Sequence, residues 1–291
     1  MSWCVAADTT RKPCLWTLRP LLLCILSSLV WRPLAEHMAD SVSPEDNLVI
    51  NVKNGGEEVY QQVITANTTD DVITVDFLES DGSLITQFID FKAEVQIFRI
   101  YRLGELDLNE SQYKVYCFVT HLLRNEFISS DAMSKLRQRN PGAIRQPEED
   151  KGKEFFEMDL NIVLDKSSII SQHLPKVCSD ATNQTFTREI DLRFWANTGA
   201  VNRDIIALTS SVHKNPTAKP VQSCIVSDTE WEPCLCHIQM CIAWYPCALK
   251  YCKTKDPNSS KLQTYRCGIK TCRKCRDFQF YSQFRQNCLW D

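Results

Sequence analysis

Leu48, Ile50 and Val52 alternate with polar neighbours, the run breaks at Asn54-Gly55, and Val59 and Val63 resume it. A period of two gives a strand one apolar face, and Asn-Gly supplies the two positive-φ positions of a type I′ turn, so this stretch reads as a β-hairpin. The pattern recurs over residues 72–78, Asp81-Gly82 and residues 84–91. Residues 95–103 and 112–119 form a further pair, rich in the aromatic and β-branched side chains that suit a pleated surface. Together these segments predict a meandering antiparallel sheet of about five or six strands.

After Cys117 the texture changes. Ser129 or Ser130 can cap a helix with Asp131 in its first turn and Ala132, Met133 and Leu136 on one face, and Pro141-Gly142 ends it. Residues 145–153 (RQPEEDKGK) read as a charged loop, residues 155–164 as a strand, and a second helix is expected from near Ser167 past Cys178, kinked or restarted at Pro175. Residues 187–195 are amphipathic, with Ile190, Leu192, Phe194 and Trp195. Residues 209–223 are polar and contain Pro216 and Pro220, the composition of a linker.

Charge and cysteine content both change at that linker. Residues 40–223 carry a net charge of −9 and residues 224–291 a net +4. Ten of the fifteen cysteines lie between Cys224 and Cys288, a density that marks either a disulfide scaffold or a set of thiols and metal ligands, depending on the compartment. Arg11, Lys12 and Arg19 precede an eleven-residue apolar run at 21–31, which fits a secretory leader and is too short to span a bilayer. Cleavage is expected after Ala35 or Ala39; an uncut signal anchor is the alternative. Losing Cys4, Cys14 and Cys24 with the leader leaves an even twelve, consistent with an exported, disulfide-bonded chain without a membrane span. The expected organisation is a leader over 1–39, an α+β domain over 40–208, a linker over 209–223 and a cysteine-rich module over 224–291.

Cys117-Phe118-Val119 at a strand end, a helix with Met133 and Leu136, a charged loop, a strand, a helix and a single further cysteine at Cys178 resemble the BRICHOS domain. That resemblance implies an antiparallel sheet with flanking helices, a Cys117–Cys178 disulfide and a characteristic aspartate at Asp90. The pairing also has support without it: these are the two cysteines of the mature N-terminal part, and closing a loop of about 60 residues contributes roughly 4 kcal/mol. The alternative is that each pairs into the C-terminal cluster. The blocks WEPCLC (231–236), AWYPCALKYC (243–252), YRCGIKTC (265–272) and CLWD (288–291), with HLLRNEFISSDAMSKLRQRNPGAIRQ (121–146) upstream, closely resemble the out at first family. This implies a secreted protein linked by name to animal development. Against that family's pattern Cys241 and Cys275 are extra, which implies that they pair with each other. The remaining partners among Cys224, Cys234, Cys236, Cys247, Cys252, Cys267, Cys272 and Cys288 stay open, except that Cys234 and Cys236 are too close in sequence to bond together.

Other candidate chemistry has a plainer reading beside it. Cys234, Cys236, His237, Cys272 and Cys275 have metal-like spacing, and Cys272-Arg273-Lys274-Cys275 has the form of a redox motif, but disulfides are preferred in an exported chain. Arg266, Lys270, Arg273, Lys274 and Arg276 lie within eleven residues without an acid, either an anionic-partner patch for a glycosaminoglycan or a solvated face. Asn67, Asn109, Asn183 and Asn258 head glycosylation sequons. The aromatic residues Trp231, Trp244, Tyr245, Tyr251, Phe278, Phe280, Tyr281, Phe284 and Trp290 are binding hot spots or the filling of a thin core. His121, His173 and His213 are scattered and no nucleophile or phosphate-binding motif is present, so no catalytic residue, cofactor or metal is expected. Nucleic acid is not expected for an exported chain. Two functions remain: an extracellular binding or signalling protein acting through the C-terminal module on an unknown receptor or extracellular protein, or chaperone-like capture of exposed β-strands by the N-terminal part.

Overall fold

The computed structural model describes residues 47–53, 58–105, 107, 111–197, 203–215, 221–227, 229–255 and 262–289; the leader and the Asn54-Gly55 turn lie outside them. β1 (Asn47–Lys53), β2 (Val59–Asn67), β3 (Val72–Leu78), β4 (Leu84–Asp90), β5 (Val95–Leu103) and β6 (Tyr113–His121) form an antiparallel meander in chain order. Gly82 closes the β3–β4 turn at φ +83°, a conformation that favours a residue without Cβ. The sheet continues at one edge with β7 (Ile144–Arg145), parallel to β1. At the other edge β10 (Thr185–Thr187) runs parallel to β6, followed by β9 (Leu160–Ile162) and β11 (Val212–Lys214), ten strands among the described residues. A second sheet has the order β12 (Cys234–Lys255), β13 (Leu262–Ser282), β8 (Glu149–Met158).

Strand side chains alternate, so one face of the meander is buried against the second sheet, while β5 and β6 bury their other face as well. Ile50, Ile64, Val75, Ile85, Phe98 and Phe118 share a core with Ile238, Met240, Phe278 and Phe280 of the second sheet. Phe118 stacks on Phe278 with centroids 4.3 Å apart, and Phe98 and Phe156 flank the same ring at 5.5 and 5.3 Å. Such aromatic pairs add about 0.5–1.5 kcal/mol each to the burial of their area. On the opposite face Val95, Ile97, Val115, Cys117 and Val119 pack with Leu174, Leu192, Trp195 and Leu208. Those residues come from α2 (Leu174–Val177), α3 (Glu189–Asn197) and α4 (Ile205–Ser210); α1 is the short helix Ser130–Ser134. The fold is α+β in three layers: helices, the ten-stranded sheet, and the three-stranded sheet.

The helices are shorter than the sequence pattern suggests. Ser129 caps α1 by accepting from the Ala132 amide at 3.2 Å, but the helix stops at Ser134, before Leu136 and well short of Pro141. In place of one helix from Ser167 past Cys178 there is a 3-10 turn at Leu164–Ile169 and then α2, with Pro175 in its first turn. The largest difference is at residues 145–153. The expected charged loop contains Arg145 of β7 and the first half of β8, which pairs in parallel with β13 from Glu149↔Cys272 to Met158↔Phe280. A strand from the first part of the chain thus completes the sheet of the second. Residues 46–291 form one compact unit, and the expected linker contains β11, paired to β9 through Val212↔Ile162.

A buried carboxylate holds α3 to the meander. Asp191 is fully buried and accepts from the His121 amide at 3.0 Å, His121 Nδ1 at 2.5 Å, and Arg188 Nε and Nη2 at 2.7 and 2.9 Å. Arg188 lies 4.5 Å over the Phe156 ring, and His121 stacks on Phe194 at 4.4 Å. Burial alone raises the Asp191 pKa, but these donors more than offset it and hold the carboxyl below its ordinary range.

Candidate interaction surface

β12 and β13 make an antiparallel ribbon whose strands are 22 and 21 residues long. Three pairs at disulfide distance cross it: Cys241–Cys275, which are direct register partners, Cys247–Cys272 and Cys252–Cys267. Cys224–Cys234 and Cys236–Cys288 fasten the flanking segments, and Cys117–Cys178 ties β6 to the end of α2. The structure therefore brings Cys117 to Cys178 and Cys241 to Cys275, and keeps Cys234 and Cys236 on different partners. The sulfurs of Cys224, Cys236 and Cys288 lie within 4.8 Å of one another, where two disulfides adjoin. All four cysteines of the metal-like set are bonded to other cysteines, and its histidine, His237, faces Asp277 at 3.4 Å and Gln279 at 2.9 Å.

The basic run of β13 meets acids contributed by β8 and its surroundings. Lys270 pairs with Glu149, Arg273 with Asp150 at 2.9 Å, and Lys274 with Glu126 at 2.9 Å and Glu154 at 2.6 Å. Lys250 on β12 reaches Glu148 at 2.6 Å, and Lys153 reaches Asp277 at 2.8 Å. Hydrogen bonds from Lys151 and Lys270 lower the Glu149 pKa to about 2. Arg276 is only 3% exposed, lies 4.6 Å over the Phe98 ring and donates to Gln96 at 3.4 Å; burial lowers its pKa. Four of the five residues of the basic run, read as either an anionic-partner patch or a solvated face, are thus engaged with partners inside the molecule. The physical reason is the parallel β8–β13 pairing, which sets one charge row beside its opposite. Arg266 differs: its guanidinium donates to the Ala132 carbonyl at 3.3 Å.

Beyond the body the ribbon continues as an arm. Among the described residues no second sheet lies against 250–254 of β12 and 262–267 of β13, and Tyr251, Leu262 and Tyr265 are 62%, 65% and 51% exposed. The register Tyr251↔Arg266 and Lys253↔Thr264 puts these four positions, with Leu262, on one face, and Cys252, Gln263, Tyr265 and Cys267 on the other. A lone two-stranded hairpin is marginal in water, and Cys252–Cys267 supplies the constraint that a core would otherwise give. A second exposed set lies in the loop closed by Cys224–Cys234, where Ile225, Val226 and Trp231 face solvent. That loop is held by Arg285 donating to the Ser227 carbonyl at 3.0 Å and by Trp231 against Phe284 at 6.1 Å. The aromatic residues divide accordingly. Trp244, Tyr245, Phe278 and Phe280 are core, Tyr281 and Phe284 are half-buried, Trp231 and Tyr251 are exposed, and Trp290 lies outside the described residues.

Asp90 caps the turn after β4, accepting from the Ala93 amide at 2.8 Å and from Ser171 Oγ at 2.7 Å, an arrangement that joins the sheet to the helical layer. Asn67 is exposed at the end of β2. Asn183 is exposed at φ +62°, but Thr185 of its sequon is buried and donates to the Ala181 carbonyl at 3.0 Å. Asn109 and Asn258 lie outside the described residues.

The pattern gave no sign of the Glu79 environment. Burial and the neighbouring Asp81 raise its pKa to about 7, against the smaller opposing effect of Arg102. A carboxyl whose folded-state pKa is raised favours folding at low pH, and this contribution is lost as pH rises through about 7. Glu79→Gln is therefore expected to gain about 1–2 kcal/mol at pH 8, after discounting for solvent screening, and nothing at pH 4. Urea midpoints at the two pH values test this, and equal gains at both would refute it.

The comparisons extend through both parts of the chain. The family profile described as "Out at first" matches residues 46–195, and "Out at first, C-terminal" matches residues 223–291. The Out at first protein of Drosophila virilis is 48% identical over 252 residues, covering 84% of this chain and 82% of that one. The Out at first protein of Drosophila melanogaster is 47% identical over 253 residues, covering 84% of this chain and 51% of that one, so the chain spans about half of this longer relative. No solved structure matches. With the meander, β8 and the cysteine ribbon all falling inside matched regions, the chain belongs to the Out at first family.

Proposed function

We propose that this chain is a secreted, glycosylated, non-enzymatic binding or signalling protein that engages an extracellular protein or receptor through its C-terminal ribbon. The observation that carries the reading is the arm: three large apolar side chains held in solvent on a ribbon already crossed by disulfides. Exposed aromatic anchors are the usual centres of binding energy, and a surface ordered before contact loses little entropy on association. Twelve paired cysteines suit an oxidising compartment. Among the described residues no helix is long and apolar enough to cross a membrane. Strand capture by the N-terminal sheet is the second reading: β7 covers β1 only at Asn51 and Val52, so residues 47–50 have no strand on that side among the described residues, but no exposed aromatic anchors accompany this edge.

The test expresses the full chain in secreting animal cells and measures retention of the purified protein on intact cells. The chain is expected in the medium with its thiols blocked, and Tyr251→Ser with Tyr265→Ser is expected to weaken retention at least tenfold without altering the circular dichroism. Undiminished retention of the variant would remove the arm from the mechanism. A cytosolic chain with free thiols would overturn the extracellular reading.

A further inference from the structure

We infer that the arm takes an extended acidic segment of a partner polypeptide as an added β-strand along the open edge of β13, between Leu262 and Lys270. This rests on the binding reading above and names the partner chemistry it requires.

The first observation concerns the edge. β12 covers one side of β13 along its length, but β8 covers the other side only from Cys272 to Phe280. Among the described residues no strand pairs with the outer side of Leu262–Lys270. Its outward amide and carbonyl groups are a template for another chain. The backing strand is held by Cys252–Cys267, so the template is ordered in advance.

The second observation concerns charge. Residues 250–255 and 262–270 contain Lys250, Lys253, Lys255, Arg266 and Lys270 and no aspartate or glutamate. Lys250 and Lys270 are met by Glu148 and Glu149. Arg266 meets only the uncharged Ala132 carbonyl in the contacts described. An arm-to-arm dimer would set these like charges against each other, which disfavours a second copy as the occupant.

The third observation is internal precedent. Further along the same edge, β13 already accepts an acidic strand. β8 brings Glu149, Asp150 and Glu154 against Lys270, Arg273 and Lys274 while its backbone completes the ladder. An acidic segment beside Leu262–Lys270 would extend this chemistry over the uncovered part of the strand. Tyr251 and Leu262 on one face and Tyr265 on the other give alternate side chains of that segment apolar contacts. A sulfated polysaccharide offers charge without backbone donors and acceptors, so it would leave the edge unpaired.

The test uses the full chain and four probes: a labelled ten-residue peptide of alternating glutamate and valine, the same peptide N-methylated at alternate residues, its lysine-valine counterpart, and a heparin oligosaccharide. The acidic peptide is expected to bind and to slow amide exchange in residues 262–270. N-methylation, or Lys253→Glu with Arg266→Glu, is expected to weaken binding at least tenfold. Lys253→Gln with Arg266→Gln serves if the doubly reversed variant fails to fold. Equal binding of the N-methylated peptide, equal binding of the lysine peptide, binding of heparin alone, or no binding at all would overturn the inference. Loss of cell retention in the Tyr251→Ser, Tyr265→Ser variant together with no acidic-peptide binding would overturn this inference and leave the binding reading intact. Unchanged retention together with no peptide binding would overturn both.

Discussion

Replacing Cys117 and Cys178 together with alanine is expected to lower unfolding stability by about 4 kcal/mol, the loop-closure entropy for a span of some 60 residues. Both cysteines are fully buried, and the bond ties the central strand β6 to the end of α2. The Cys117 amide also donates to the Gln184 carbonyl at 2.9 Å where β10 joins β6, so the same strand carries a covalent tie to the helical layer and a hydrogen-bonded one to its neighbour in the sheet. Without the covalent one, the chain from β6 to β10 regains most of its freedom in the unfolded state. Urea or guanidinium unfolding of the doubly substituted protein measures the effect. A loss below about 1 kcal/mol would mean that the helical layer is held by packing alone.

The second large effect is at Asp191. Asp191→Ala is expected to cost about 3 kcal/mol at pH 7, because it removes the acceptor of the His121 amide and leaves the Arg188 guanidinium without its anion in a largely apolar setting. The pH dependence separates this from simple loss of packing. The Asp191 pKa is held below its ordinary range in the folded state, so the contribution is present above the unfolded-state pKa of about 3.9 and is lost as pH falls through the folded-state value. Between pH 7 and pH 2 the wild-type stability should decline towards that of the variant. Parallel stability curves over this range would show that the charge contributes nothing.

Most of the meander could be read from alternation because one side of each strand faces the second sheet. Ile73, Val75 and Phe77 are buried while Thr74 and Asp76 are less so, and the boundaries of β3 follow that rhythm. Ser129 was legible as a cap because hydroxyl capping is local chemistry. β8 was not legible: Glu149, Asp150, Lys151, Gly152 and Lys153 are poor strand formers, and what makes them a strand is a basic partner more than one hundred residues later. The signal was present as two oppositely charged runs, but charge complementarity alone does not fix a register. The length of β12 and β13 was hidden for a related reason. Their exposed arm buries too little to impose a period, and cysteines occupy positions that aliphatic residues would otherwise mark. The Asp191 cluster draws on β6 and α3, which no local pattern connects.

The origin of β8 has a consequence for dissecting the molecule. A cut within residues 209–223 yields two incomplete pieces, because the strand that completes the distal sheet remains with the proximal fragment. The distal fragment would keep Lys270, Arg273 and Lys274 but lose Glu149, Asp150, Glu126 and Glu154, becoming a polycation with an artificial appetite for heparin. Mixed back together, the fragments should recognise each other as a complementing pair.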